Sequence, residues 1–219
     1  MDITQAAGLI QSFENGSLTK QIGKIERELV DKNPGQINKS LSDLSILPAI
    51  LDAALTLKRT AGQINVIIHT LGIVLSLPYI LEKDEVVQAL SLGAGNTGKP
   101  FDLETDRRVA EYKFIHWRGG TESIRKNQLF KDFFLLSEFD TSKKKYLYVL
   151  GKDLPIKFLK GDRAINSVMS RNKNVDMLFH ELYGDRFSRV HEYYQYRQND
   201  VELVDLLEVL PPEIGRLFD

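Results

Sequence analysis

The sequence predicts an α/β protein, a mixed β-sheet core flanked by helices, with a helical N-terminal region and a helical C-terminal region. Three observations point there. A hairpin pattern occupies 100–117, with a polar turn at Asp106-Arg107. A run of aromatic and branched residues at 145–150, KYLYVL, reads as a further strand. On both sides of these, apolar residues recur at helical spacing.

Taken in order, 2–12 and 17–32 read as helices, with Asp2 and Ser17 as caps and Leu18, Ile22, Ile25 and Leu29 on one face. Asn33-Pro34-Gly35 breaks the pattern. A third helix over 40–59 places Leu41, Leu44, Leu47, Ile50, Leu51 and Leu55 on its buried side, and Pro48 should kink or split it. Ala61-Gly62 is a joint. The apolar stretch 64–81 nearly reaches the length of a membrane span. Asn65, His69 and Pro78 interrupt it, so a buried helix and no membrane contact is expected. Residues 83–92 have helix-forming composition, and 93–100 form a loop. The hairpin strands are expected at 100–105 and 108–117, a helix at 121–138 and a strand at 145–150. A further strand is expected at 153–160, and helices at 162–171, 175–183, 186–197 and 200–210. The resulting division is a helical region 1–62 for interaction or dimerisation, a core 63–173, and a helical extension 174–219 packed on that core.

A chain of 219 residues, 42% hydrophobic and 27% charged, suits a soluble globular protein. The absence of cysteine excludes disulfides, thiolate metal sites and thiol catalysis, and fits a reducing compartment. No basic segment precedes an apolar run at the N-terminus, so a cytoplasmic location is expected. The net charge of −1 conceals an asymmetry: +7 over 99–173, −2 over 1–98 and −6 over 174–219. The middle third is the part suited to a polyanion.

The hairpin carries the chemistry. Side chains alternate along a strand, so Glu111 and Lys113 share a face. A turn centred on Asp106-Arg107 sets Asp102 opposite Glu111, with Cβ atoms about 5 Å apart. Two like charges so placed suit a divalent cation. Other motifs have duller readings. Pro100 follows Gly93-x-Gly95-x-x-Gly98-Lys99, so that loop opens no helix and is no nucleotide cradle. His69 reads as a core or buried-polar histidine, and His116 as facing away from Glu111. Trp117, Tyr193, Tyr194 and Tyr196 read as packing, and Lys143-Lys144-Lys145 as a solvated turn. His180 and His191 lack metal-ligand spacing, and no G-x-S-x-G elbow is present.

The pattern Pro100-Phe101-Asp102 followed by Val109-Ala110-Glu111-Tyr112-Lys113 resembles the PD-(D/E)XK nuclease superfamily, over roughly 82–151. Phe101 stands between the proline and the aspartate, and the Asp-to-Glu spacing is short. The resemblance implies a restriction-endonuclease-like fold: a helix, a sheet bearing Asp and (Asp/Glu)-x-Lys, then a helix and a strand. It implies Asp102 and Glu111 as ligands of Mg²⁺ or Mn²⁺, and Lys113 beside the attacked phosphate. Glu85, or Glu82, answers to a glutamate on the first core helix, and Gln128 to a polar residue on the following helix. Arg107, Arg108, Arg118, Arg125 and Lys126 would track a nucleic-acid backbone. The implied activity is phosphodiester hydrolysis by a nuclease, as an endonuclease ahead of an exonuclease, on DNA ahead of RNA, in restriction or host defence. A homodimer is compatible with symmetric cutting. The alternatives are a non-catalytic nucleic-acid-binding or protein-interaction module, and a structural partner in which Glu111 and Lys113 form an exposed surface pair.

Overall fold

The computed structural model describes residues 1–14, 16–45, 47–93, 100–115, 117 and 123–218. Its contacts divide the chain into two compact units, Met1–Ile67 and Ile68–Asp219. Residues 174–219 belong to the second, with the sheet.

The first unit is helical: α1 (Ile3–Glu14), α2 (Leu18–Leu29), α3 (Pro34–Asp43) and the opening turns of α4 (Pro48–Ile80). The expected caps form. Asp2 accepts from the Gln5 amide at 2.9 Å and Ser17 from the Lys20 amide at 3.4 Å, while Asn33 and Gln36 make a capping box. Pro48 starts a new helix, where its missing N–H costs nothing, so the expected helix 40–59 is split. Burial there differs from expectation. Leu47, Leu51 and Leu55 are exposed, and the buried residues described in this unit are Ala6, Ser40 and Ala53.

In the second unit, α4 leads to β1 (Val87–Leu90), β2 (Leu103–Thr105), β3 (Arg108–Lys113), α5 (Ser123–Glu138) and β4 (Lys144–Val149). After these come α6 (Asp153–Leu159), α7 (Ile165–Met169), α8 (Lys173–Tyr183), α9 (Val190–Arg197), β5 (Glu202–Asp205), α10 (Leu206–Val209) and α11 (Pro212–Gly215). The sheet order is β1-β2-β3-β4-β5. The first three strands form an antiparallel meander, and β4 and β5 add in parallel. The β3–α5–β4 crossover supplies the helix that a parallel pair needs.

Alternation along β3 sorts the core into two layers. Val109 packs with Leu129, Phe130, Phe133 and Phe134 of α5 and with Leu147 and Val149. Ala110 and Tyr112 face the other way, against Ile73 and Ile80 of α4 and Tyr146 and Tyr148. Gly72 makes the α4 approach feasible: a Cβ there would lie 2.5 Å from the Phe114 ring. Only one face of α4 is covered. Ile73 and Ser76 are fully buried, whereas Ile68, Leu71, Val74, Leu75 and Tyr79 are exposed. The expected buried helix is therefore half-covered. Among the described residues it is the one helix long and apolar enough to cross a membrane, by length and composition alone.

Three expected elements of the second unit differ in type. The expected helix over 83–92 is a turn followed by strand β1. Within the expected helix 200–210, Glu202–Asp205 pairs with β4 before α10 begins. The expected strand 153–160 is helix α6. Short segments with weak periodicity take their form from what they pair with, and both new strands lie at the sheet edges.

Candidate active site

The β2–β3 register pairs Leu103 with Ala110 and Glu104 with Val109, which places Asp102 and Glu111 at the next step of the same ladder. This is the register the turn predicts. Asp102 lies just ahead of β2 rather than within it. Its carboxylate is held at both oxygens. Oδ2 accepts the Tyr112 amide at 2.9 Å, and Oδ1 lies 3.2 Å from His69 Nε2 of α4. His69 is a half-buried polar histidine rather than a core one: its partner is Asp102, and its ring is edge-on to Phe114.

Glu111 and Lys113 point to the α5 side. Lys113 Nζ donates to Glu111 Oε1 at 2.8 Å and lies 2.8 Å from Asp132 Oδ2 of α5. The surface-pair alternative needs exposed, splayed carboxylates. Instead the Glu111 side chain is 17% exposed and Asp102 is 9% exposed.

Sequence reading missed Asp132. The signal available was an acidic residue set among Leu129, Phe130, Phe133 and Leu136 on a helix, all of them buried. A buried carboxylate needs a partner, and a lysine on the covered strand supplies one.

Two carboxylates, Glu111 and Asp132, hold the Lys113 ammonium, and the charge of Asp102 acts on Glu111 from nearby. Burial, together with the charges of Asp132 and Asp102, pushes the Glu111 carboxyl up to about 7 against the opposing pull of Lys113. Burial alone would favour a neutral Lys113 amine, but Asp132 and Glu111 hold it above the usual lysine range. Surplus buried negative charge on oxygen donors suits a hard divalent cation. Mg²⁺ is commonly held by one or two carboxylates, with water and phosphate completing the shell. Asp102 and Glu111 fit that description. Among the described residues no group of three or more His, Cys, Asp or Glu forms a ready cage.

Glu85 is not part of this set. It lies beyond the opposite end of β2, bound to Thr105 at 2.6 Å and to both Arg108 Nε and Nη2, at 2.6 and 2.5 Å. Three strand residues separate that end from Asp102, about 10 Å. Burial opposes its charge, but the Arg108 and Thr105 hydrogen bonds hold its carboxyl below the usual range. Arg108 is likewise committed. It is 4% exposed, stacks over Tyr146 at 4.8 Å and donates to the Tyr148 hydroxyl at 3.0 Å. A buried ion pair of this kind holds strands together and tracks no backbone. Arg107 is surface-exposed but pairs with Glu82 at 2.9 Å, at the turn end of the hairpin, away from Lys113.

On α5, Gln128 is exposed one turn before Asp132, and Arg125 and Lys126 are half-buried. Arg118, His116, Gly119-Gly120 and most of the expected 93–100 loop lie outside the described residues. Trp117 packs on Phe158, with ring centres 6.0 Å apart, and Tyr193 is fully buried, both as expected. Lys144 and Lys145 are in β4 rather than in a turn, and Lys143 pairs with Glu104 at 2.7 Å.

No protein-family model, curated protein or solved structure matches this chain.

Proposed function

We propose that this chain is a divalent-cation-dependent nuclease that hydrolyses phosphodiester bonds in nucleic acid, DNA ahead of RNA, acting as an endonuclease on a restriction-endonuclease-like fold. The supporting observation is the half-buried Glu111–Lys113 pair on β3, with Asp102 just ahead of the neighbouring strand and close enough for its charge to act on Glu111. The order α4, three antiparallel strands, α5 and a parallel strand also agrees with the helix–sheet–helix–strand order that the PD-(D/E)XK resemblance implies. A restriction or host-defence setting rests on that resemblance alone.

Asp102 and Glu111 are the residues that would hold Mg²⁺ or Mn²⁺, whose chemistry is to polarise the phosphate and to lower the pKa of a bound water. The rest follows from the chain's own groups. Lys113 stays an ammonium at neutral pH, so it is no general base. Its role is to bind a non-bridging phosphate oxygen and offset the charge that builds there during attack. Asp132 sets the position of that ammonium from the helix side. His69 and the Tyr112 amide fix the plane of the Asp102 carboxylate.

The test is incubation of the protein with plasmid DNA, linear DNA and RNA in Mg²⁺, Mn²⁺ or EDTA. Cleavage that needs the metal and disappears in Asp102→Ala supports the proposal. Cleavage that persists in EDTA, or in Asp102→Ala, removes these residues from the mechanism.

One observation favours a second reading. Lys113 already has two carboxylate partners, and a closed ion-pair network suits a non-catalytic binding module. Salt-dependent binding without cleavage under any metal would select it.

A further inference from the structure

Concavities lined by several charged residues occur in both units. One, in the first unit, sets Lys24, Lys32 and Lys39 against Glu28 and Asp43, and Lys32 is 3.1 Å from Glu28. Its charges largely offset one another. The other is different. An open concavity of about 470 Å³ lies between α5 and the turn from α7 to α8, and three of its lining residues are cations: Lys131, Arg171 and Lys173. Ser170, Asn172 and Asn174 add neutral hydrogen-bonding groups, and among the described residues no carboxylate lines it. Among the described residues Arg171 and Lys173 make no ion pair, and the nearest acid to Lys131 is Asp132 at 3.9 Å.

That contact connects the concavity to the candidate active site. Asp132 Oδ2 holds Lys113, while Oδ1 of the same carboxylate faces Lys131. The two ammonium groups thus flank one carboxylate, and the basic concavity adjoins the site on the side of α5. Three like charges around one hollow repel one another unless an anion enters. An arginine can grip two phosphate oxygens at once, and lysines add charge without demanding direction.

We propose that this concavity is an anion site that takes a non-scissile phosphate of the nucleic-acid strand engaged at Lys113. The identity of the anion rests on the nuclease reading; the site itself does not. Contacts of this kind position a strand without reading its sequence.

The experiment is equilibrium binding of a labelled oligonucleotide in EDTA, across a salt series, so that no catalysis is involved. Wild type is compared with the triple variant Lys131→Ala/Arg171→Ala/Lys173→Ala and with the single variant Arg171→Glu, all checked for folding by circular dichroism. The triple variant should bind about tenfold more weakly at low salt, with a salt slope shallower by about one. Unchanged affinity and slope in both variants overturns the anion site, whether or not the wild type cuts DNA. A wild type that never cuts, but binds DNA through these three residues, overturns the nuclease reading and supports the site. Binding of inorganic phosphate, measured by calorimetry and lost in the triple variant, in a wild type that binds no oligonucleotide assigns the concavity to a free anion and overturns the proposed ligand.

Discussion

Asp132 Oδ2 lies 2.8 Å from Lys113 Nζ, which ties the crossover helix to the strand that carries the Glu-x-Lys pattern. Without Asp132, Lys113 has Glu111 alone, and the ammonium is drawn down onto the strand. We expect Asp132→Asn to lower the cleavage rate by about tenfold while substrate binding changes less, since a misplaced charge weakens transition-state contact more than docking. Separate determination of kcat and KM on an oligonucleotide checks this. An unchanged kcat would remove Asp132 from the positioning of Lys113.

The Glu111 carboxyl gives a pH signature. Its folded value of about 7 lies above the ordinary carboxylate range, so the folded state retains a proton that the unfolded state releases first. Stability is then highest below the unfolded pKa, falls as pH rises toward 7, and levels above it. Glu111→Gln removes this dependence. In EDTA the variant should be more stable than wild type at pH 8, by about 1–3 kcal/mol, and nearly equal at pH 4.5. Urea unfolding at the two pH values measures it. Equal stability at pH 8 would contradict a strained carboxylate cluster.

Arg108 and Glu85 form another buried ion pair, and its role is structural. Arg108→Ala should cost about 3–5 kcal/mol, because Glu85 would be left charged with its side chain fully buried. Glu85→Ala should cost a similar amount, and the double variant less than the sum. Thermal or chemical unfolding of all three checks it. A loss below about 1 kcal/mol for Arg108→Ala would mean the pair is dispensable.

The hairpin register is legible in the sequence. The turn at Asp106-Arg107 sets it, and with it the pairing of Leu103 with Ala110 and of Glu104 with Val109, because a short antiparallel turn fixes which residues meet. The KYLYVL strand and helix α5 are legible for a similar reason: each has a strong local pattern. β1 and β5 are not. Gln88 and Ala89 favour no strand, and Glu202–Asp205 becomes one only beside Tyr146–Val149. His69 and Asp132 are hidden because each sits in an apolar run and meets its partner from a distant part of the chain. Glu85 reads as a ligand because it is acidic and near the expected first helix; the strand that replaces that helix sends it to Arg108.

Gly72 links the fold to the site. The Phe114 ring occupies the space that a side chain at 72 would fill, and His69 is one turn earlier on α4, edge-on to the same ring. Gly72→Ala should force Phe114 aside and destabilise the protein by about 1–3 kcal/mol. The His69–Asp102 contact should loosen with it, seen as a change in the His69 imidazole NMR shifts. Unaltered stability and shifts would show that α4 can relax away without consequence.

The decisive quantity is the cleavage rate of an end-labelled oligonucleotide in saturating Mg²⁺, for wild type, Glu111→Ala and Lys113→Ala, each shown to be folded. A nuclease built on these residues cuts in a metal-dependent way as wild type and loses about a thousandfold or more in both variants, about 4 kcal/mol of transition-state stabilisation. Equal rates in the three proteins, or none in wild type under any divalent metal, would contradict that mechanism.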